Sequence, residues 1–136
     1  KTDIYPGFPT DMQPQWIALM SLSIGKSKLE DTIYHDRFSH IPELIRLGAN
    51  ITLENNIATI SGVGSFMSTD VMCTDLRAGA ALVLASLAAT GTTTIGRIYH
   101  IDRGYEDFED KLKLLGADIE RIRSNWFEIS CYKNHA

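Results

Sequence analysis

A small set of acids and arginines stands at positions where they could handle an anion. Arg37 closes the stretch "IYHDR" (Ile33–Arg37), and Arg103 sits in "IYHIDRGYE" (Ile98–Glu106). Each follows an apolar, β-branched run that reads as a strand. Asp11 lies in "TDM" and Asp75 in "TDL", each ahead of an apolar helical run, with Arg77 two residues beyond Asp75. Arginine is a fixed cation with a planar fork of donors that fits carboxylate and phosphate. The chemistry suggested is the holding of an anionic ligand by a local cluster of arginines, with acids at the adjacent helix starts.

These residues come in pairs because the chain is written twice. Thr10-Asp11-Met12 matches Thr74-Asp75-Leu76, Ile33-Tyr34-His35 matches Ile98-Tyr99-His100, Arg37 matches Arg103, and "LGANI" (Leu47–Ile51) matches "LGADI" (Leu115–Ile119). The anchors keep their order while their spacing drifts, as insertions in loops would cause. The copies divide the chain into units 1–62 and 63–136.

Each copy reads as β-α-β-α-β-β, an α/β (α+β) pattern. Leading strands are expected near Thr2–Tyr5 and Asp70–Cys73. The first helix of copy one starts close to Thr10 or Asp11, because Pro14 is tolerated only in a first turn. Its apolar positions are Met12, Trp16, Leu19, Met20 and Leu22, and Gly25 stops it. Its counterpart, "DLRAGAALVLASLAATG", is apolar nearly all round and reads as central and buried. Strands follow at about Lys28–Tyr34 and Thr92–Tyr99. Second helices carry Ile41, Leu44, Ile45 and Leu47, or Phe108, Leu112 and Leu115, and end at Gly48 and Gly116 in left-handed caps. Hairpins close each copy, around Asn55-Asn56 and Ser124-Asn125. Helices are expected inward and sheets outward, with the second helices keeping a wet face.

Composition is ordinary for a globular domain: 44% hydrophobic, 22% charged, net charge −4. That balance is too mild to suggest a polyanion partner by itself, and neither nucleic acid nor a membrane is expected as a partner. No apolar run approaches the roughly 18–20 residues needed to span a bilayer, and no leader opens the chain. Cys73 and Cys131 have no metal-ligand spacing and fit a reducing cytoplasm. His35 and His100 read as loop-packing residues, since no second His or Cys stands at ligand distance. No metal or cofactor is expected. The chain begins at Lys1 rather than Met, which suggests a piece of something longer.

Plainer readings compete. Thr10-Asp11 and Thr74-Asp75 could be helix caps only. Arg37 and Arg103 could be solvated, or paired with Asp36 and Asp102. Cys73 reads as a buried small hydrophobe.

"FPTDMQ" (Phe8–Gln13), "DRFSHIPELIRLGA" (Asp36–Ala49), "TDLRAGAALVLA" (Thr74–Ala85) and "RIYHIDRGYEDFEDKLKLLGA" (Arg97–Ala117) closely resemble the UDP-N-acetylglucosamine enolpyruvyl transferase family, an EPSP synthase-like family, in the order of its C-terminal part. The resemblance implies a fold of two lobes, each of three β-α-β-α-β-β units (an inverted α/β barrel), with two units present here. It implies transfer of the enolpyruvyl group of phosphoenolpyruvate to the 3′-hydroxyl of UDP-N-acetylglucosamine, the first committed step of peptidoglycan synthesis. By motif, Asp11 and Arg103 are the implied catalytic residues. Asp11 would hydrogen-bond the sugar hydroxyl, Ile33 would contact the sugar nucleotide through its backbone, and Arg103 would meet phosphoenolpyruvate. Arg37 and Arg77 would be its guanidinium partners, with Asp75 orienting them. The reactive-loop acid and a phosphoenolpyruvate-binding lysine would belong to the missing N-terminal lobe, so the isolated chain is expected to be inactive. Competing classes are a non-catalytic binding module of the same fold and an EPSP synthase-type enzyme.

Overall fold

The computed structural model describes residues 1–123 and 127–132. A 3-10 turn at Thr10–Met12 leads into α1 (Gln13–Leu22), then β1 (Lys26–Glu30), α2 (Ile41–Arg46), β2 (Asn50–Glu54) and β3 (Ile57–Ser61). The second half holds β4 (Phe66–Met67), β5 (Asp70–Met72), α3 (Leu76–Ala88), β6 (Ala89–Thr90), β7 (Thr92–Gly96), the one-turn α4 (Tyr99–Asp102), α5 (Phe108–Leu114), β8 (Asp118–Arg123) and β9 (Phe127–Tyr132).

The first-half sheet has the order β1-β3-β2 and is antiparallel throughout. The second-half sheet runs β5-β7-β9-β8, with β5 parallel to β7 and the rest antiparallel. β4 and β6 form a short parallel pair. The β2–β3 hairpin turns at Asn55, whose φ of 53° is the left-handed conformation that asparagine tolerates. The other expected turn, Ser124-Asn125, lies outside the described residues.

α3 is the central helix. Asp75 caps it, accepting from the N–H groups of Arg77 and Ala78, and eight of its thirteen residues are buried. α1 packs beside it through Ile17 and Ala18. Gly79 lets α4 approach closely, for a Cβ there would stand 2.7 Å from Ile101 Cγ1 and 3.0 Å from Cys73 Sγ. Gly104 is confined less severely, a Cβ there standing 3.1 Å from Leu76 Cδ1. These two contacts press the turn that carries Arg103 onto the N-terminal end of α3.

Several expectations change. No strand forms at Thr2–Tyr5. Pro6 offers no N–H, and Gly7 donates to Ile4 O at 2.7 Å, so the chain folds back and leaves only a bridge between Thr2 and Phe8. β1 ends at Glu30 rather than Tyr34, because the Asp31 carboxylate captures the N–H groups of Ile33 and Tyr34. β7 ends at Gly96, where Arg97 takes a φ of 58° and the chain enters α4. α1 ends at Leu22, ahead of Gly25.

The apolar residues of α1 are not all core. Met12, Trp16 and Leu19 are exposed, and with Leu84 and Ala88 of α3 they line an apolar groove of about 480 Å³. α2 buries Ile41, Leu44 and Leu47, whereas Ile45 faces water. Gly48 and Gly116 do take left-handed conformations. Leu115 nevertheless differs from its counterpart Leu47. Met67 N donates to Leu47 O, bringing the β4 segment over it, and among the described residues nothing equivalent reaches Leu115, which is 84% exposed.

Candidate functional site

Three of the singled-out residues meet at one point. Asp11 Oδ1 accepts from Arg37 Nη1 at 2.8 Å and from Arg77 Nε at 2.6 Å. One acid of the first half thereby joins an arginine from each half of the chain. Asp11 does not cap its helix: Pro9 holds the cap position and no side chain bonds there. Both bonds land on the same oxygen. Among the described residues Asp11 Oδ2 accepts no protein hydrogen bond, and the side chain is 64% exposed. The site thus keeps one free carboxylate oxygen beside two guanidinium groups. Hydrogen bonding from Arg77 is the main force holding the Asp11 carboxyl below its ordinary range, assisted by Arg37 and opposed by desolvation.

Arg37 is the more enclosed guanidinium. It lies over the Tyr34 ring at 4.7 Å and also donates to Thr10 Oγ1 at 3.2 Å. The turn that carries it is pinned by Gln13, whose Nε2 donates to Arg37 O at 2.6 Å. Arg37, Arg77, Tyr34, Asp36, Ser39 and Asp75 line an open cleft of about 400 Å³. Asp75 does not touch either guanidinium. It fixes Arg77 through that residue's backbone N–H and accepts from Ser39 Oγ at 3.2 Å, which in turn lies 2.8 Å from Thr74 Oγ1. One such cap at each copy was the plainer reading; it holds for Asp75 and fails for Asp11.

Ile33 spends its N–H on Asp31 Oδ1, and its side chain is 44% exposed. Arg103 is exposed at the C-terminal end of α4, its Cζ 5.8 Å from the Tyr99 ring. It makes no ion pair among the described residues. The structure therefore brings Asp11, Arg37 and Arg77 into contact, sets Asp75 directly behind Arg77, and leaves Arg103 on the adjoining turn without a bond to the cluster. The pairing of arginines with their neighbouring acids does not occur: Asp102 binds Arg121 instead, through two bonds of 2.8 and 2.9 Å.

The family model of EPSP synthase (3-phosphoshikimate 1-carboxyvinyltransferase) matches residues 1–112. The chain belongs to this family. Among relatives of the EPSP synthase family, the chain is 58% identical over 123 residues to UDP-N-acetylglucosamine 1-carboxyvinyltransferase of Ruthia magnifica subsp. Calyptogena magnifica, which covers 90% of this chain and 29% of the relative. It is 58% identical over 126 residues to the protein of the same name from Prosthecochloris aestuarii, covering 93% and 29%. The chain thus spans less than a third of the length of these relatives. Among solved structures, the enolpyruvyl transferase NikO from Streptomyces tendae superposes with a TM-score of 0.80 at 34% identity, over 87% of this chain and 28% of that one. EPSP synthase from Acinetobacter baumannii shares the fold, with a TM-score of 0.69 at 19% identity over 90% and 28%. Neighbours of this kind are α/β proteins, as is this chain.

Reading residue types alone overlooked three polar groups: Asp31 and Thr10, which hold Arg37 and its turn, and Ser39, which lines the cleft and bonds Asp75. The available signal was Asp31-Thr32 directly after a strand, a place where aspartate commonly accepts backbone N–H groups two and three residues on. Cys73 and Cys131 are fully buried, and burial pushes both thiols up to about 12, Cys73 with further help from Asp75 and Glu43. Such thiols are not nucleophiles. His35 is exposed, and the His100 ring lies tilted against Tyr99 with centroids 4.4 Å apart. Among the described residues no cluster of His, Cys, Asp and Glu could hold a metal, and no helix is long and apolar enough to cross a membrane.

Proposed function

We propose that this chain is the C-terminal part of a UDP-N-acetylglucosamine 1-carboxyvinyltransferase, comprising two units (1–62 and 63–136) of one lobe. The reaction joins C2 of phosphoenolpyruvate to the sugar 3′-oxygen and releases inorganic phosphate. The observation that carries this reading is the shared carboxylate: Asp11 clamped on one oxygen by Arg37 and Arg77, with no protein hydrogen bond on the other oxygen among the described residues.

Each residue has a role that its surroundings support. Arg37 and Arg77 offer donors not spent on Asp11, and these bind the carboxylate and phosphate of phosphoenolpyruvate. Asp75 keeps Arg77 in place by fixing the first turn of α3. Arg103, with no ion pair among the described residues, swings to the same anion as the site closes. The charge persists in a tetrahedral intermediate, so pre-placed guanidinium groups stabilise it without reorganisation. Asp11 Oδ2 accepts the hydrogen bond of the 3′-hydroxyl and orients it for attack. The arginines keep Asp11 a weak base, so orientation dominates until closure expels water. Ile33, whose N–H is already used, meets the sugar nucleotide through its carbonyl. The acid that protonates the enolpyruvyl carbon comes from the other lobe, and the chain alone is inactive. The step feeds peptidoglycan synthesis and takes place in the cytoplasm.

The test is phosphate release by the full-length protein. Release from phosphoenolpyruvate should require UDP-N-acetylglucosamine; release with shikimate 3-phosphate instead would assign the sister activity. Arg103→Ala should lower kcat/KM for phosphoenolpyruvate by about 100-fold or more. Unchanged turnover and affinity would make the arginines structural.

A further inference from the structure

Linked to Arg37 through Thr10 is a buried carboxylate with no counterpart in the second copy. Asp31 is 0% exposed and gathers five donors from three separate stretches. Its Oδ1 accepts from Thr2 Oγ1 at 2.8 Å, Ile33 N at 3.1 Å and Tyr34 N at 2.9 Å. Its Oδ2 accepts from Thr10 Oγ1 at 2.7 Å and, at the long limit of 3.4 Å, from Gln13 Nε2. Aligning Ile33 with Ile98 puts Gly96 where Asp31 would recur, so the second copy has no such group.

The direction of these bonds is fixed by donor arithmetic. An ionised carboxylate only accepts, and a hydroxyl has one proton to give. Thr10 must therefore donate to Asp31 and present its lone pairs to Arg37 Nη1, 3.2 Å away. A directed chain results, from the Arg37 guanidinium through the Thr10 hydroxyl to the buried carboxylate. A second arm runs through Gln13 to Arg37 O, and a third through the Ile33 and Tyr34 N–H groups to the turn on which Arg37 rides. Desolvation alone would raise the Asp31 carboxyl, but the bonds from Tyr34, Thr10, Thr2 and Ile33 outweigh it and keep it ionised.

We propose that Asp31 is a positioning residue for Arg37, setting its guanidinium through Thr10 and its backbone through the Ile33–Tyr34 turn and Gln13. The inference rests on the proposed role of Arg37 toward phosphoenolpyruvate. Asp31→Asn keeps the size of the side chain but turns an acceptor toward Thr10 into a donor. Thr10 must then accept from the amide as well as from Arg37, its own proton loses its acceptor, and the negative charge that anchors the chain of bonds is gone.

A double-mutant cycle in the full-length enzyme tests this, with kcat and KM measured for phosphoenolpyruvate. Asp31→Asn is expected to lower kcat/KM about 10-fold and Arg37→Gln about 100-fold, while the double variant stays within about threefold of Arg37→Gln alone, because one acts through the other. An additive result, with the two losses multiplying to about 1,000-fold, overturns the proposal and leaves the reading of the site intact. No effect of Arg37→Gln overturns that reading and the proposal with it. Thr10→Val and Thr10→Ser decide the matter if Asp31→Asn does not fold. Val removes the relaying hydroxyl at nearly equal shape and should reproduce the Asp31→Asn loss, whereas Ser restores the hydroxyl and should match wild type within about twofold. Wild-type kinetics in Thr10→Val overturn the proposal.

Discussion

Replacing Arg121 with Gln should destabilise the chain in a way that depends on pH. Arg121 on β8 ties together α5 and the end of α4. It donates from Nε and Nη2 to Glu109 at 2.6 and 3.0 Å, and from Nη1 and Nη2 to Asp102 at 2.9 and 2.8 Å. The two carboxylates differ in what they stand to lose. The Asp102 side chain is 42% exposed, so water replaces much of its partner, and that half of the network is worth at most about 1 kcal/mol. The Glu109 side chain is 11% exposed, and stranding it without a cation costs about 2–3 kcal/mol, below the full cost of a wholly buried broken pair. The expected loss at pH 7 is therefore about 3 kcal/mol, a large share of a small domain's stability. The sign with pH follows from Glu109. The Arg121 hydrogen bond holds its carboxyl below the ordinary value of 4.5, against desolvation. The pair's contribution is thus complete above that value and is lost as pH falls through the lower folded one. In Arg121→Gln the desolvation remains and pushes the carboxyl upward, so acid relieves the variant while it weakens the wild type. Urea unfolding followed by far-UV circular dichroism at pH 7 and pH 4 measures both. The gap should shrink on acidification. A gap below about 0.5 kcal/mol at pH 7, or one that does not change with pH, would refute the reasoning.

Other expectations follow from buried groups. Cys73 and Cys131, both pushed up to about 12, should resist iodoacetamide at pH 8 in the folded chain and react on addition of denaturant; rapid native labelling would contradict their burial. His40 is wholly buried, with neither ring nitrogen hydrogen-bonded to protein, and desolvation lowers it to about 4 despite the nearby Asp75. Its unfolded form takes up a proton near 6.5, so stability present above that pH should fall by up to about 3 kcal/mol on the way to pH 4. His40→Leu should remove that part of the slope in urea titrations between pH 7 and pH 5. Proton NMR should find the His40 ring still neutral at pH 5.

The legible parts of the fold were those written in local chemistry. α3 could be read because an aspartate cap precedes a nearly all-apolar run rich in alanine and leucine. The C-caps at Gly48 and Gly116 and the turn at Asn55 were visible because few residues tolerate those backbone angles. The duplication made the pairing of acids and arginines conspicuous. Contacts between distant stretches were harder. That Asp11 would be shared by Arg37 and Arg77, rather than cap its own helix, depends on how α1 and α3 lie side by side. Asp102 found Arg121 across the α4–β8 gap instead of its neighbour Arg103. Asp31 had no repeat partner to draw attention to it, and its importance appears only when Thr2, Thr10 and Gln13 converge on it. Leu115 matched Leu47 in sequence but not in environment, since what covers Leu47 is the β4 segment.

The account turns on whether one small anion is held between guanidinium groups from the two halves of the chain. The most direct measurement is the KM for phosphoenolpyruvate of the full-length protein, compared with its Arg37→Ala and Arg77→Ala variants at saturating UDP-N-acetylglucosamine. Both variants should raise that KM by about tenfold or more, since each removes a charge-assisted donor to the same ligand. If either variant keeps the wild-type KM and kcat, the two halves do not meet on phosphoenolpyruvate, and the Asp11 cluster is a structural clasp.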